Sequence, residues 1–169
     1  NHLRTFALGD EAAMLMASYP LGRRPARPFP YFNEVMTGFE YTAAVHMLYE
    51  GDTSHGLQVI AAIRARYDGE RRSPFNEAEC GHHYARAMAS WAAILALTGF
   101  HYSAVTGEMQ FSDVKTGSRT FWSTGDAWGV LVRDGSGYEV EIHRGTINLK
   151  TLRIAGNVVE FTTQPVTAA

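Results

Sequence analysis

The chain contains one cysteine, Cys80, in 169 residues. That excludes an intrachain disulfide framework and fits a reducing, cytoplasmic compartment. Charge surplus is also missing: 15 Lys and Arg against 17 Asp and Glu leave a net charge of −2. A surface that attracts nucleic acid or anionic lipid is net basic, and this one is not. The densest cationic cluster, Gly22-Arg23-Arg24-Pro25-Ala26-Arg27, is short and interrupted by proline. Long hydrophobic runs are lacking as well. The longest, around Trp91 to Leu97, falls far short of the roughly 20 residues that span a bilayer. Neither an initiator methionine nor a basic-plus-apolar leader opens the sequence at Asn1, so it reads as a piece of something longer. What the chain does have is 46% hydrophobic residues, enough for an ordinary domain with a real core.

Those apolar residues fall into a helical half and a strand-like half. The first 20 residues fit a short helix from Asp10 or a buried strand equally well. Four prolines between Pro20 and Pro30 then disfavour both helix and central strand, which predicts a loop. A helix is predicted from about Thr37 to Glu50, ended by Gly51. Its apolar residues run nearly all the way round, which predicts burial on more than one side. Asp52-Thr53 caps a second helix, about Ser54 to Tyr67, with Leu57, Ile60, Ile63 and Tyr67 on one stripe and Gln58, Arg64 and Arg66 off it on a wet face. A third helix, about His82 to Thr98, is again apolar on most sides. Inner, outer, inner is the rhythm of an α/α barrel.

After Gly99 the composition shifts to Gly, Ser, Thr and Asp with short alternating runs. Strands are predicted at 128–133, 138–143, 146–154 and 158–162, with a hairpin loop from Asp134-Gly135 to Gly137. The expected fold class is therefore mainly α: the last hairpins of an (α/α)6 barrel over residues 1–112, and a short antiparallel β-rich tail over 113–169.

One phrase occurs twice. Asn33-Glu34-x3-Gly38-x2-Tyr41 is echoed as Asn76-Glu77-x3-Gly81-x2-Tyr84, 43 residues later. A period in the forties with one helix pair per unit is the signature of stacked helical hairpins, each presenting one carboxylate at the same end. Glu34 and Glu77 thus have the form of a glycosidase acid and base, although Asn-Glu also serves simply to cap helix entrances.

Arg86 stands near the start of the third helix, where a cation opposes the helix dipole. Such a local conflict points to function. With Glu77 nine residues upstream, it offers a hydrogen-bond acceptor and a forked donor, suited to the hydroxyls of a sugar. A buried structural ion pair uses the same residues. Cys80, His82 and His83 with Glu77 and Glu79 invite a zinc reading, but there is no CxxC and no second Cys/His pair. His46 fits a core or interhelical histidine. Trp91, Trp122 and Trp128 fit core positions, with Trp122, in a Gly/Ser/Thr-rich stretch, the one that also suits a sugar platform.

Several long runs, in order, resemble a known family. Pro28-Phe-Pro-Tyr-Phe-Asn-Glu34-Val-Met-Thr-Gly-Phe-Glu-Tyr41, Ile63-Arg-Ala-Arg-Tyr-Asp-Gly69, Asn76-Glu77-Ala-Glu79-Cys80-Gly81-His82-His83-Tyr84-Ala85-Arg86-x-Met88-Ala-Ser90-Trp91 and Phe121-Trp122-Ser-Thr-Gly-x-Ala-Trp128-Gly129 are similar to the bile-acid β-glucosidase or non-lysosomal glucosylceramidase family, glycoside hydrolase family 116. The resemblance implies the C-terminal part of a retaining β-glucosidase whose substrates are glucosylceramide or simpler β-glucosides. It places the nucleophile and acid/base upstream of the matched region, so no residue here inherits a catalytic role, and the isolated chain is expected to be inactive. It also implies that Glu77 and Arg86 bind glucose, with Glu34 and Thr37 at the same mouth, and that no metal or other cofactor is needed. The implied partners are the glucoside substrate and the N-terminal part of the same protein, with membrane association of the intact protein left open and no nucleic acid. Met36 stands where the family's Glu-Val-Trp-Thr-Gly motif has tryptophan, a departure that bears on aglycone preference. The competing expectations are a non-catalytic helical-hairpin interaction module and a zinc-binding domain around Cys80 and His83.

Overall fold

The computed structural model describes residues 7–77, 82, 86–135 and 137–166. The chain forms two compact units, Asn1–Ala93 and Ile94–Ala169.

The first unit is built on one helical hairpin, α1 (Thr37–Tyr49) and α2 (Thr53–Arg66). Its turn follows from three residues. Gly51 adopts φ +85, and its N–H donates to Leu48 O while that of Asp52 donates to Met47 O. This is the Schellman arrangement, which stops α1 where glycine predicts. The Asp52 carboxylate then accepts from His55 N and caps α2. The helices cross closely at Gly56, where an added Cβ would lie 2.9 Å from Leu48 Cδ2 and 3.0 Å from the Ala44 carbonyl.

α1 buries Thr37, Gly38, Glu40, Tyr41, Ala44 and Leu48, a single stripe at i, i+4, i+7 and i+11. Phe39 and Tyr49 remain exposed. The prediction of burial on more than one side, taken from apolar residues spread nearly all the way round the helix, is therefore corrected. In α2 the buried residues are Gly56, Ile63 and Arg66, so Arg66 belongs to the packed face and Leu57 to the exposed one.

The segment 7–20 is neither helix nor strand. It is clasped to the hairpin: Met14 N–H donates to Glu40 Oε1 (2.9 Å), Met16 N–H to Glu34 O (3.3 Å), and Arg72 grips Glu11 with Nη1 at 2.5 Å and Nη2 at 3.0 Å. The hydrogen bond from Arg72 is the main cause that holds the Glu11 carboxyl below its ordinary range. A depressed carboxyl contributes stability that is present above the unfolded value, about 4.3, and lost as pH falls through the folded value. Backbone amide shifts of residues 8–16 are thus expected to move together in an NMR titration below about pH 4, and Glu11→Gln is expected to abolish that transition. Persistence of the transition in the variant would assign it to another group.

The third predicted helix is much reduced. A 3-10 segment, Arg86–Trp91, runs into α3, Ala92–Leu97, and Gly99 ends it with φ +63. Beyond α3 the second unit is a β structure of two four-stranded sheets. One has the order β1 (His101–Ser103), β2 (Glu108–Phe111), β6 (Thr151–Ile154), β7 (Asn157–Val159). The other has β3 (Arg119–Ser123), β4 (Ala127–Asp134), β5 (Gly137–Gly145), β8 (Phe161–Pro165). Both are mixed, because β2 pairs parallel with β6 and β5 parallel with β8. Alternation along the strands sends Met109 and Phe111, Leu152 and Ile154, and Trp122 and Leu131 into one buried core.

These observations correct the expected fold class. The described residues contain three α-helices, one of them six residues long, and eight strands. That is neither a mainly α chain nor an (α/α)6 barrel, and the β part is neither a short tail nor purely antiparallel. The predicted Asp134 to Gly137 hairpin is present, with Asp134 opposite Gly137. The predicted strand 146–154 is reduced to β6, and the predicted strand 158–162 is divided at Glu160 into β7 and β8, which belong to different sheets. No helix among the described residues is long and apolar enough to cross a membrane.

Candidate functional site

Of the four residues singled out in the sequence, Thr37 and Glu77 bond to each other and Arg86 lies against Gly38 and Phe39, all on the first turn of α1, while Glu34 lies just before that turn. A 3-10 turn, Pro30–Asn33, is started by a proline, whose fixed φ suits that position. Glu34 follows in extended conformation (φ −89, ψ 156), its N–H donating to Tyr31 O. Val35 and Met36 are buried, and Met36, extended, leads into Thr37 as the first helical residue with no side-chain cap. An uncapped helix N-terminus carries partial positive charge from its amides, which suits carboxylates.

Three carboxylates gather here or just below. Glu34, Glu40 and Glu77 are 0%, 2% and 3% exposed, so each is removed from water and has to be compensated within the protein. Thr37 Oγ1 donates to Glu77 Oε2, which joins the two copies of the repeated phrase by a direct hydrogen bond. Glu40 accepts from Met14 N and from the Arg66 guanidinium, whose other nitrogen donates to Ala12 O. Burial pushes the Glu40 carboxyl up, the Met14 N–H and Arg66 oppose that, and the negative charge of Glu77 adds to it. Burial likewise raises the Tyr41 phenol, with Glu77 and Glu40 adding to the rise and Arg64 opposing it.

Arg86 begins the 3-10 segment and is half-buried. Its guanidinium carbon stands 5.2 Å from the centre of the Phe39 ring, and its stem lies against Gly38. Thr37 with Glu77, and Gly38 and Phe39 with Arg86, thus place a carboxylate and a guanidinium on one helical turn. Carboxylates accept and the guanidinium donates in a planar fork, a set that can hold neighbouring hydroxyls of a polyol.

Sequence inspection missed Glu40 and Arg66. Arg66 lies three residues beyond Ile63 and Glu40 three beyond Thr37, but that spacing shows a packed charge only once the helix crossing has fixed which faces meet. Of the zinc candidates, Cys80, His83 and Glu79 lie outside the described residues, and His82 is exposed with φ 78. No group of three His, Cys, Asp or Glu placed to hold a metal ion occurs among the described residues. His46 is exposed rather than interhelical. Trp122 is fully buried in the core of the second unit and is no sugar platform. Trp128, on the outer face of β4, stacks on His143 at 5.2 Å. Trp91 and Met88 are 67% and 74% exposed.

No protein-family model matches the chain, and no curated protein matches it.

Proposed function

We propose that this chain is the glucose-recognising part of a retaining β-glucosidase of the glucosylceramidase type, glycoside hydrolase family 116. Glu77 accepts from sugar hydroxyls and Arg86 donates to them, while Glu34 and Thr37 complete the mouth. The observation that carries the proposal is the hydrogen bond from Thr37 to Glu77, with Arg86 seated one residue further along the same turn. Residues named by motif resemblance from three separate places in the chain come together, and their chemistry suits a neutral polyol. The reaction of that family is a double displacement through a glycosyl-enzyme intermediate. Its nucleophile and acid/base belong to the preceding part of the family's catalytic domain, so this part binds without cleaving. The single cysteine supports a cytoplasmic location, and membrane association of the intact protein is compatible with it.

The test is binding of a glucose-configured iminosugar to the 169-residue chain, followed by NMR or calorimetry, with an aryl β-glucoside as the hydrolysis probe. Binding without turnover is expected. Glu77→Gln and Arg86→Met are each expected to weaken binding about 10-fold or more, the scale of a hydrogen bond to a charged group, with the folded state retained. In the intact enzyme the same variants are expected to lower kcat/KM. Absence of binding, or binding in both variants as tight as in the wild type, would remove the assignment. Turnover by the chain would make Glu34 and Glu77 the acid and base instead.

A second reading rests on the exposure of Met88 and Trp91. Large apolar side chains in water mark interaction surfaces, and a helical-hairpin docking module would bind a protein partner with no response to the iminosugar.

A further inference from the structure

We infer that Gly38 and Phe39 are positioning residues for Arg86, fixing where its guanidinium meets a ligand. The inference rests on the glucose-site proposal for its ligand, but the positioning itself is visible without one. Gly38 is the second residue of α1 and has no positive φ, so backbone conformation gives no reason for glycine there. Glycine also weakens a helix relative to alanine. Space supplies the reason. A Cβ at residue 38 would lie 2.2 Å from Arg86 Cδ, 3.1 Å from Nη1 and 3.3 Å from Cβ. The arginine stem therefore lies along a bare stretch of helix, and the next residue, Phe39, presents its ring to the guanidinium at 5.2 Å.

An arginine has many rotamers, and ordering it on ligand binding costs entropy. A steric seat below the stem and a π-face beside the head restrict those rotamers beforehand. This accounts for the glycine in the first copy of the repeated phrase, since it is the seat for the arginine that follows the second copy. The atom that a new methyl group would strike is Cδ of a flexible side chain. Relief is therefore by displacement of Arg86, with the helix intact. Gly56 is the contrast: there an added Cβ would meet the Ala44 carbonyl and the Leu48 side chain at the helix crossing.

Gly38→Ala is thus expected to separate stability from binding. Its Tm should match or exceed that of the wild type, while the Arg86 Nε–H resonance shifts and iminosugar affinity falls toward that of Arg86→Met. Adding Gly38→Ala to Arg86→Met should cost no further affinity. Phe39→Leu is expected to loosen the Nε–H signal and weaken binding roughly 2- to 5-fold, and Phe39→Tyr, which keeps the π-face, to preserve both. Gly56→Ala should lower Tm and leave the Nε–H resonance in place. An unchanged Arg86 resonance in Gly38→Ala, or an equal affinity loss with and without Arg86, would overturn the inference. If the wild type binds no iminosugar, the glucose proposal fails, and the resonance of Arg86 in the unliganded variants still decides whether Gly38 and Phe39 position it.

Discussion

Arg66→Met is expected to destabilise the first unit by about 3–5 kcal/mol at neutral pH, the usual cost of removing one partner of a buried ion pair. Arg66 is 1% exposed and Glu40 2%, and the guanidinium bonds both to Glu40 and to Ala12 O. Methionine fills similar space but removes the guanidinium from the Glu40 carboxylate, which keeps the Met14 N–H. Its carboxyl is already raised by burial and by Glu77, and without Arg66 it rises further. The sign follows from linkage. A carboxyl whose folded value lies above its unfolded one contributes stability below the unfolded value and loses it as pH rises through the folded value. The variant should therefore be markedly more stable at about pH 5 than at about pH 8, a difference of the same sign as in the wild type but larger, because Arg66 no longer opposes the rise. Urea unfolding followed by circular dichroism measures both. The Glu40→Leu/Arg66→Met double variant should recover most of the loss, since an apolar pair of similar volume avoids desolvating two charges. A loss under about 1 kcal/mol in Arg66→Met, or one independent of pH, would mean that water reaches Glu40.

The same pair explains why part of the site was legible in the sequence and part was not. Glu34 and Glu77 stand out because a phrase repeats around them, and Arg86 because a cation at a helix start contradicts the helix dipole. Both are local signals. Glu40 and Arg66 are 26 residues apart, and each alone looks like a solvated charge on a helix. Only the crossing of α1 and α2 at Gly56 turns Arg66 inward. The hairpin was legible because Gly51 and Asp52 end and begin helices by backbone chemistry that needs no tertiary partner. The fold class was not, because apolar content around α1 and after His82 does not distinguish a helix covered on two sides from one that leaves Phe39, Met88 and Trp91 in water. The β unit was legible where strands alternate and turn tightly, as in β4 and β5. It was not where residues 101–111 form two short strands whose sheet is completed by β6 and β7, some 40 residues on.

Gly129→Ala is expected to cost about 3 kcal/mol or more, at the upper end for overpacking a core. Gly129 occupies an inward-facing position of β4 between Ala127 and Leu131, and its register partner on β3 is Trp122. A Cβ there would lie 1.9 Å from the Glu141 carbonyl oxygen and 2.7 Å from Trp122 Cζ2. The first contact is with backbone. Relieving it means separating β4 from β5 at the register shift between Trp128 and Gly129, which breaks ladder hydrogen bonds. The second is with a ring that is fully buried and has no free rotamer to take. The two contributions can be separated. Trp122→Phe removes the six-membered part of the indole and with it the clash at Cζ2, while the carbonyl clash remains. A double-mutant cycle is thus expected to show partial coupling between the substitutions, with Gly129→Ala still destabilising in the Trp122→Phe background. Urea titration gives both terms. Full rescue by Trp122→Phe would mean that β5 moves aside at little cost, and that the irregularity beside Gly129 is a soft point of the sheet rather than a fixed one.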